Sequence, residues 1–335
     1  MENNVLKQII KSPLTIPSLD LDFAGTKELD SRITYTRTGQ ASFIDANGAI
    51  QIVSANVPRF THDPLTGASL GLMSESSRTN LIFNSGTLTG YQSITVTAIP
   101  YTVSFTGEGT IILEQVDGPM GAVALYGTGI GESNRVSLTF TPVAGYLVVR
   151  VEDGTVTNIQ LEAGGHASSY IPTGLTAVTR GADSIQITGT NFSSWYNQIE
   201  GTIVASASTR ASEISQASTV YSIDNNTSGN SISLVYSVEG SRVNGKVNTN
   251  NSAEANIQYS IAGKTFTSAF SYKMNQFDLS VGGGNNSIDR AGNLTTLDRL
   301  RLGFTATGDD ALNGSIARLR YYRQALPNKL STLSI

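Results

Sequence analysis

Asn56-Val57-Pro58-Arg59-Phe60-Thr61-His62-Asp63-Pro64-Leu65-Thr66-Gly67 runs through Ala68-Ser69-Leu70 into Gly71-Leu72-Met73-Ser74-Glu75-Ser76-Ser77-Arg78-Thr79-Asn80-Leu81-Ile82. Its middle reads as a reverse turn. Asp63 can accept backbone N–H bonds, Pro64 presets φ, and Gly67 gives the chain freedom to leave. Val57 and Phe60 precede the turn and Leu70 and Leu72 follow it, so the spacing predicts a turn between two short strands. Glu75 and Arg78 then bracket a small polar segment. The stretch reads as a rigid, irregular corner, and nothing in it has the look of reaction chemistry.

The same β grammar extends outward. Leu19, Leu21 and Phe23 alternate with Asp20 and Asp22, as in a half-buried strand. Asn47-Gly48, between Phe43-Ile44 and Ile50-Gln51-Ile52-Val53, is a strong hairpin signal because both residues tolerate positive φ. Upstream, Val5, Leu6, Ile9 and Ile10 form an apolar patch of helical spacing, stopped by Pro13 and Pro17. A helix that short is marginal alone and needs a partner surface. Residues 1–18 are therefore expected to be an arm for docking or oligomerisation.

Composition narrows the class. The chain has 335 residues, 14% charged, no cysteine and a formal net charge of -4. That length allows two domains. The scarcity of charge and the wealth of Gly, Ser, Thr and Asn suit turn-rich sandwiches and argue against helical bundles. No Lys/Arg cluster forms a footprint for nucleic acid, and no apolar run is long enough for a membrane span. The start lacks a secretory signal, so synthesis in a cytoplasm is expected. Without cysteine, neither disulfides nor thiolate metal sites are open to it.

A composition shift at Asn84-Ser85-Gly86 opens a series of short strands. Ile94 and Val96 alternate with Thr; Val136, Leu138 and Phe140 share a face; Tyr146 to Val151 is an apolar run that reads as a buried strand. Ile159 and Leu161 alternate with polar neighbours. Later strands are predicted near Val220–Ile223, Ile232–Val238, Ile257–Ile261, Thr267–Met274, Phe277–Val281, Arg299–Phe304 and Ser315–Tyr322. The expected class is all-β, with two antiparallel β-sandwich (jelly-roll) modules. Residues 84–170 resemble the small jelly rolls of carbohydrate-binding modules. Residues 171–335 resemble a concanavalin A-like or laminin-G-like jelly roll, with a short closing helix near Ala325–Leu330. The β segment 19–83 could complete that second sandwich and leave the first as an insertion.

Several stretches together resemble bacteriophage tail-fibre and head-fibre proteins. They are Leu19-Asp20-Leu21-Asp22-Phe23-Ala24, Tyr35-Thr36-Arg37-Thr38-Gly39, the Asn56–Ile82 stretch, Ile159-Gln160-Leu161-Glu162-Ala163-Gly164, Ser169-Tyr170-Ile171-Pro172-Thr173, Thr179-Arg180-Gly181-Ala182-Asp183 and Gly314–Tyr322. They occur in the family's order over most of the chain. Two departures are Thr61-His62, where Asp-Tyr is usual, and Met73-Ser74, where Leu-Ile is usual. The resemblance implies a virion structural protein, a fibre or spike subunit. Its implied partners are other virion proteins, further copies in a homotrimer, and host-surface polysaccharide.

Reaction chemistry is thin. Glycoside hydrolysis needs two carboxylates flanking one bond, and glucanases of this fold place theirs as Glu-x-Asp-x-Glu on one strand face. No such triplet exists, and Asp20 with Asp22 reads as a solvated face. His62 and His166 each stand in a polar turn, too few for an imidazole metal site. Asp224-Asn225-Asn226 and Asp309-Asp310 are possible calcium ligands but read first as Asx turns. Gly282-Gly283-Gly284 lacks the Lys and helix of a phosphate loop. No catalytic residue, metal or cofactor is expected. Trp195 and Tyr196 are the glycan-stacking candidates, against the plainer reading that they are sandwich framework; Tyr221, Tyr236 and Tyr259 could line a face. The expected function is attachment to glycans, with a glycan depolymerase on the same fold, or a decorating fibre without a receptor, as alternatives.

Overall fold

The computed structural model describes residues 16–115, 121–210 and 217–335, and their regular structure is almost wholly antiparallel β. Among the described residues α-helix is confined to Phe23–Thr26, Gly189–Ser193 and Leu330–Leu333. The all-β expectation holds. The arm residues Val5, Leu6, Ile9 and Ile10 lie outside the described residues. Ser18 is already tied down, its N–H to Tyr321 O at 2.8 Å and its hydroxyl to Trp195 O at 3.0 Å.

Two sheets face each other to form the large sandwich. The eight-stranded sheet takes Leu19–Asp22, Phe60–His62 and Ser69–Ser74 from the start of the chain. From the second half it takes Glu200–Thr209, Thr265–Lys273, Gln276–Val281, Ser287–Asp289 and Gly314–Tyr322. The seven-stranded sheet runs in the order Thr34–Thr36, Ser184–Thr188, Arg299–Leu302, Ala217–Asp224, Ser231–Ser237, Arg242–Thr249, Ser252–Ser260. Strands from both ends of the sequence thus share one core, in which Leu19, Leu21, Leu72, Ile187, Tyr221, Leu234, Phe270, Leu300 and Tyr321 pack together. Alternation places them there: Leu19 pairs with Tyr321 and Leu21 with Leu319, while Asp20 and Asp22 point outward beside Arg318.

The corner at Asp63 forms as its residues dictate. Asp63 Oδ1 accepts from the N–H groups of Leu65 and Thr66 at 3.0 and 2.8 Å, and Gly67 N–H returns to Asp63 O at 2.9 Å. Within the following strand, Gly71 has φ +86 and lies so close to the last long strand that a Cβ would stand 2.2 Å from Ile316 O. Only glycine fits both demands.

The small sandwich pairs two four-stranded sheets. One has the order Val136–Phe140, Tyr101–Thr106, Val156–Ala163, Thr87–Leu88; the other Val123–Tyr126, Thr110–Gln115, Gly145–Asp153, Tyr91–Val96. Its separate core holds Val103, Phe105, Ile111, Leu113, Leu147, Val149, Ile159 and Leu161. The Tyr146–Val151 run is not buried on both faces, as its apolar continuity suggested. Leu147 and Val149 face the core, while Tyr146 is 62% exposed. The apolar outer positions hid a one-sided alternation.

The chain leaves and re-enters the large sandwich through one ribbon, where Arg78–Asn80 pairs with Val178–Arg180. Asn80 fastens the small sandwich to it. Its Nδ2 donates to Ile159 O and Ile171 O at 3.1 and 2.9 Å, and its Oδ1 accepts from Ile82 and Leu161 N–H at 3.1 and 3.2 Å. All four hydrogen-bonding positions of this fully buried carboxamide are filled. Asn80→Ala is expected to cost about 2 kcal/mol in chemical denaturation, because buried backbone groups lose their partners. A loss within error would show that water replaces the amide freely.

Candidate functional site

The residues that the sequence marks as polar corners converge at the junction of the two sandwiches. Arg59 is wholly buried. It donates to Glu75 Oε2 at 2.7 Å, Asp183 Oδ2 at 2.6 Å, Ser169 Oγ at 2.8 Å and Ser42 O at 2.9 Å. Asp183 Oδ2 also accepts from the N–H of Glu75 at 2.9 Å, and its Oδ1 accepts from Tyr35 Oη at 2.6 Å. Arg37 donates to the carbonyls of Val57 and Ser54 at 2.9 and 2.6 Å and lies 3.5 Å from Asp183. Arg180 lies 3.3 Å from Glu75 Oε2 and donates to Ser76 O at 3.0 Å.

Glu75 is the hub. Ser169 gives it both N–H and hydroxyl, at 2.9 and 2.7 Å, and Arg210 reaches it from a more exposed position at 3.4 Å. Burial alone would raise its pKa, but Arg180, Arg59 and Arg210 together hold it well below the usual carboxylate range. For Arg59 burial works against the charge, and Asp183 and Glu75 outweigh it, so its pKa is raised. Glu162 is a second, quieter node. It accepts from Ser168 and Gln160, and burial still pushes its carboxyl up.

A cleft of about 250 Å³ opens beside this cluster, between the sandwiches. His62, Leu70 and Met73 line it from one side and Glu132, Arg135 and Ser137 from the other. Arg135 is held by Glu132 at 2.9 Å and lies 5.7 Å over the Tyr170 ring. His62 donates from Nδ1 to Ile44 O at 3.0 Å. Glu75 and Asp183, each almost fully buried, have their oxygens occupied by arginine, serine, tyrosine and backbone donors. The cluster can hold two modules together, and its carboxylates offer no free oxygen to a substrate.

The glycan-stacking candidates sit elsewhere and inside. Trp195 and Tyr196 are 2% and 4% exposed. Trp195 meets Phe192 and Tyr321 edge-on at 5.0 and 4.9 Å, and Tyr196 lies 4.6 Å from Phe192 and 5.5 Å from Tyr321. Their faces are taken by other rings, so neither can present a platform to sugar, and their role is framework. Tyr221 and Tyr236 are likewise buried in the core, with Tyr259 packed against it. Asp20 forms a two-bond pair with Arg318 at 2.6 and 2.8 Å. Asp224 is fully buried against Arg301 at 3.0 Å and caps the turn at Asn226. His166, read as a turn residue, is 6% exposed, and neither ring nitrogen has a hydrogen-bond partner.

No protein-family model and no curated protein matches this sequence. Among solved structures, the carbohydrate-binding module of the Ruminococcus gnavus sialidase bound to α2,3-sialyllactose is similar at 23% identity and a TM-score of 0.35, over 41% of this chain and 83% of that one. The leech intramolecular trans-sialidase is similar at 17% identity and a TM-score of 0.33, over 41% of this chain and 23% of that one. The binding domain of botulinum neurotoxin DC, solved with rat synaptotagmin II, is similar at 13% identity and a TM-score of 0.35, over 44% and 38%.

Proposed function

We propose that this chain is a structural, adhesive component of a phage particle, a fibre or spike subunit that attaches to a host-surface glycan without cleaving it. The reading is supported by where the fibre-like motifs lead. Arg37, Arg59, Glu75, Ser169, Arg180 and Asp183 come from four of those motifs and meet in one buried cluster that joins two sandwiches. Motif residues committed to the interior leave the outer sheet faces as the working surfaces. Virion neighbours at the other end and threefold self-assembly belong to the same reading, because a chain without cysteine gains durability from symmetric association.

Binding of the purified protein to an array of bacterial surface polysaccharides tests it, with polysaccharide chain length followed in parallel. Binding at constant chain length is expected. Shortening of the polymer would favour a depolymerase, and no binding at all would favour a purely architectural fibre. The pair Asp20→Asn and Asp22→Asn is expected to leave adhesion and chain length unchanged, since both carboxylates sit outward beside Arg318. The change removes two surface ion pairs with Arg318, about 1 kcal/mol or less together, and the asparagine oxygen at 22 still accepts from the Gly25 N–H. A change in polymer cleavage in that variant would contradict the binding reading.

A further inference from the structure

We infer that the outer face of the seven-stranded sheet carries a saccharide subsite centred on Asn244; the inference rests on the attachment reading and gives it a place. The inner face of this sheet is apolar, with Ile187, Leu300, Ile223, Ile232, Val247 and Ala255 in the core. Alternation sends the intervening residues outward. One cross-strand row reads Thr34, Gln186, Arg301, Ser222, Ser233, Lys246, Asn256 across all seven strands. No residue in it is apolar.

At one end of this polar face lies a groove of about 300 Å³, lined by Asn244, Lys246, Asn256, Gln258, Arg242 and Glu239 among others. Asn244 is 4% exposed, yet its Oδ1 has no hydrogen-bond partner. Its Nδ2 reaches Val235 O only at 3.5 Å, which directs the oxygen away from the sheet's own acceptor. In the neighbouring row, Thr219, Val235, Asn244 and Gln258, Thr219 is fully buried and its hydroxyl is also unpartnered. A desolvated acceptor without a donor is a defect in a free-standing sheet, and a ligand hydroxyl would repair it.

The chemistry selects the ligand class. Asn244 Oδ1 requires a donor, which a carboxylate or a phosphodiester anion cannot supply. The Lys246 ammonium requires acceptors, and the Asn256 and Gln258 carboxamides can give or take. A sugar hydroxyl both donates and accepts, so a hydroxyl-rich oligosaccharide meets all of these at once. Among the lining residues no aromatic ring is present, so recognition would run through hydrogen bonds rather than stacking.

The 335-residue chain and two variants, Asn244→Leu and the pair Tyr91→Ala with Tyr146→Ala, are compared on the polysaccharide array and by thermal melting. Tyr91 and Tyr146 are 71% and 62% exposed on the small sandwich and form the competing surface. Asn244→Leu is expected to lower binding at least about tenfold while melting stays unchanged or rises, since an unpaired polar group is removed. The tyrosine pair is expected to bind as the parent does. Undiminished binding by a folded Asn244→Leu protein overturns the subsite and leaves attachment standing. Loss confined to the tyrosine pair moves the site to the small sandwich. Should Asn244→Leu melt early, Lys246→Ala and Gln258→Ala, at less buried positions of the same groove, decide by the same criterion. A parent protein that binds nothing overturns attachment itself, and the subsite with it.

Discussion

Glu75→Gln is expected to destabilise the protein by about 3 to 5 kcal/mol, the usual consequence of removing one partner from a buried ion pair. The substitution keeps the shape and removes the charge. Arg59 and Arg180, both without solvent access, would then keep Asp183 as their shared carboxylate, with Glu162 acting on Arg180 alone, and Arg210 would lose its carboxylate. Ser169 would meet a carboxamide whose nitrogen cannot accept the N–H or hydroxyl that it offers. Since Ser169 belongs to the segment leading back from the small sandwich, the damage should reach the junction as well as the corner. Urea denaturation measures it. A loss under about 1 kcal/mol would mean that the cluster is hydrated in solution and holds nothing together.

Acidification is the second large effect. His166 takes a proton near pH 6.5 in an unfolded chain, but in the fold burial, with Arg78 adding to it, pushes its pKa down to about 4. Between those values the unfolded state binds the extra proton, so stability falls as pH drops from about 6.5 to about 4. The loss from this group is about 3 kcal/mol when complete. Glu75 follows further down: its contribution is present above the ordinary carboxylate value and is lost as acid protonates it. Glu162, whose pKa is raised, works in the opposite sense, because protonation relieves its burial. His166→Leu isolates the imidazole. Its melting temperature should fall less steeply than the parent's between pH 6.5 and 4, and parallel curves for the two proteins would rule out the histidine as the cause.

Much of the fold was legible because burial repeats every second residue. Leu19-Asp20-Leu21-Asp22 and the Asn47-Gly48 hairpin announce themselves, and so does the turn at Asp63. Strand Arg242–Thr249 escaped for a physical reason. Of its core-facing positions, Val243, Gly245 and Val247, the middle one is glycine, and the Phe270 ring from the opposite sheet fills the space, 2.8 Å from where a Cβ would be. The remaining residues are polar, so no apolar alternation survives to be read. Asn244 was missed with that strand. The junction cluster was hidden differently. Arg59, Glu75, Ser169 and Asp183 each look like loop chemistry, and the bonds that tie Arg59 and Glu75 to Ser169 and Asp183 span 94 to 124 residues. Arg59 between Pro58 and Phe60 was the nearest thing to a signal, a charge set among residues that go inside. Trp195, the candidate for stacking on sugar, lies 2% exposed between the rings of Phe192 and Tyr321, and its place inside could not be read from the sequence because a large aromatic suits a core and a ligand platform alike.

The pairing of Leu19 with Tyr321 carries a consequence for how the molecule is made on the ribosome. The strand Gly314–Tyr322 is not an edge: it lies between Glu200–Thr209 and Ser69–Ser74, and it also receives Leu19–Asp22. It also follows every strand that it bonds to in sequence. Until it emerges, Leu19–Asp22 has no neighbour to bond and Ser69–Ser74 has only Phe60–His62, while the small sandwich, whose strands all lie between Thr87 and Ala163, is already complete in the nascent chain. Synthesis order therefore puts the inserted module ahead of its host, and it leaves early strand edges in need of protection until Gly314–Tyr322 has been made.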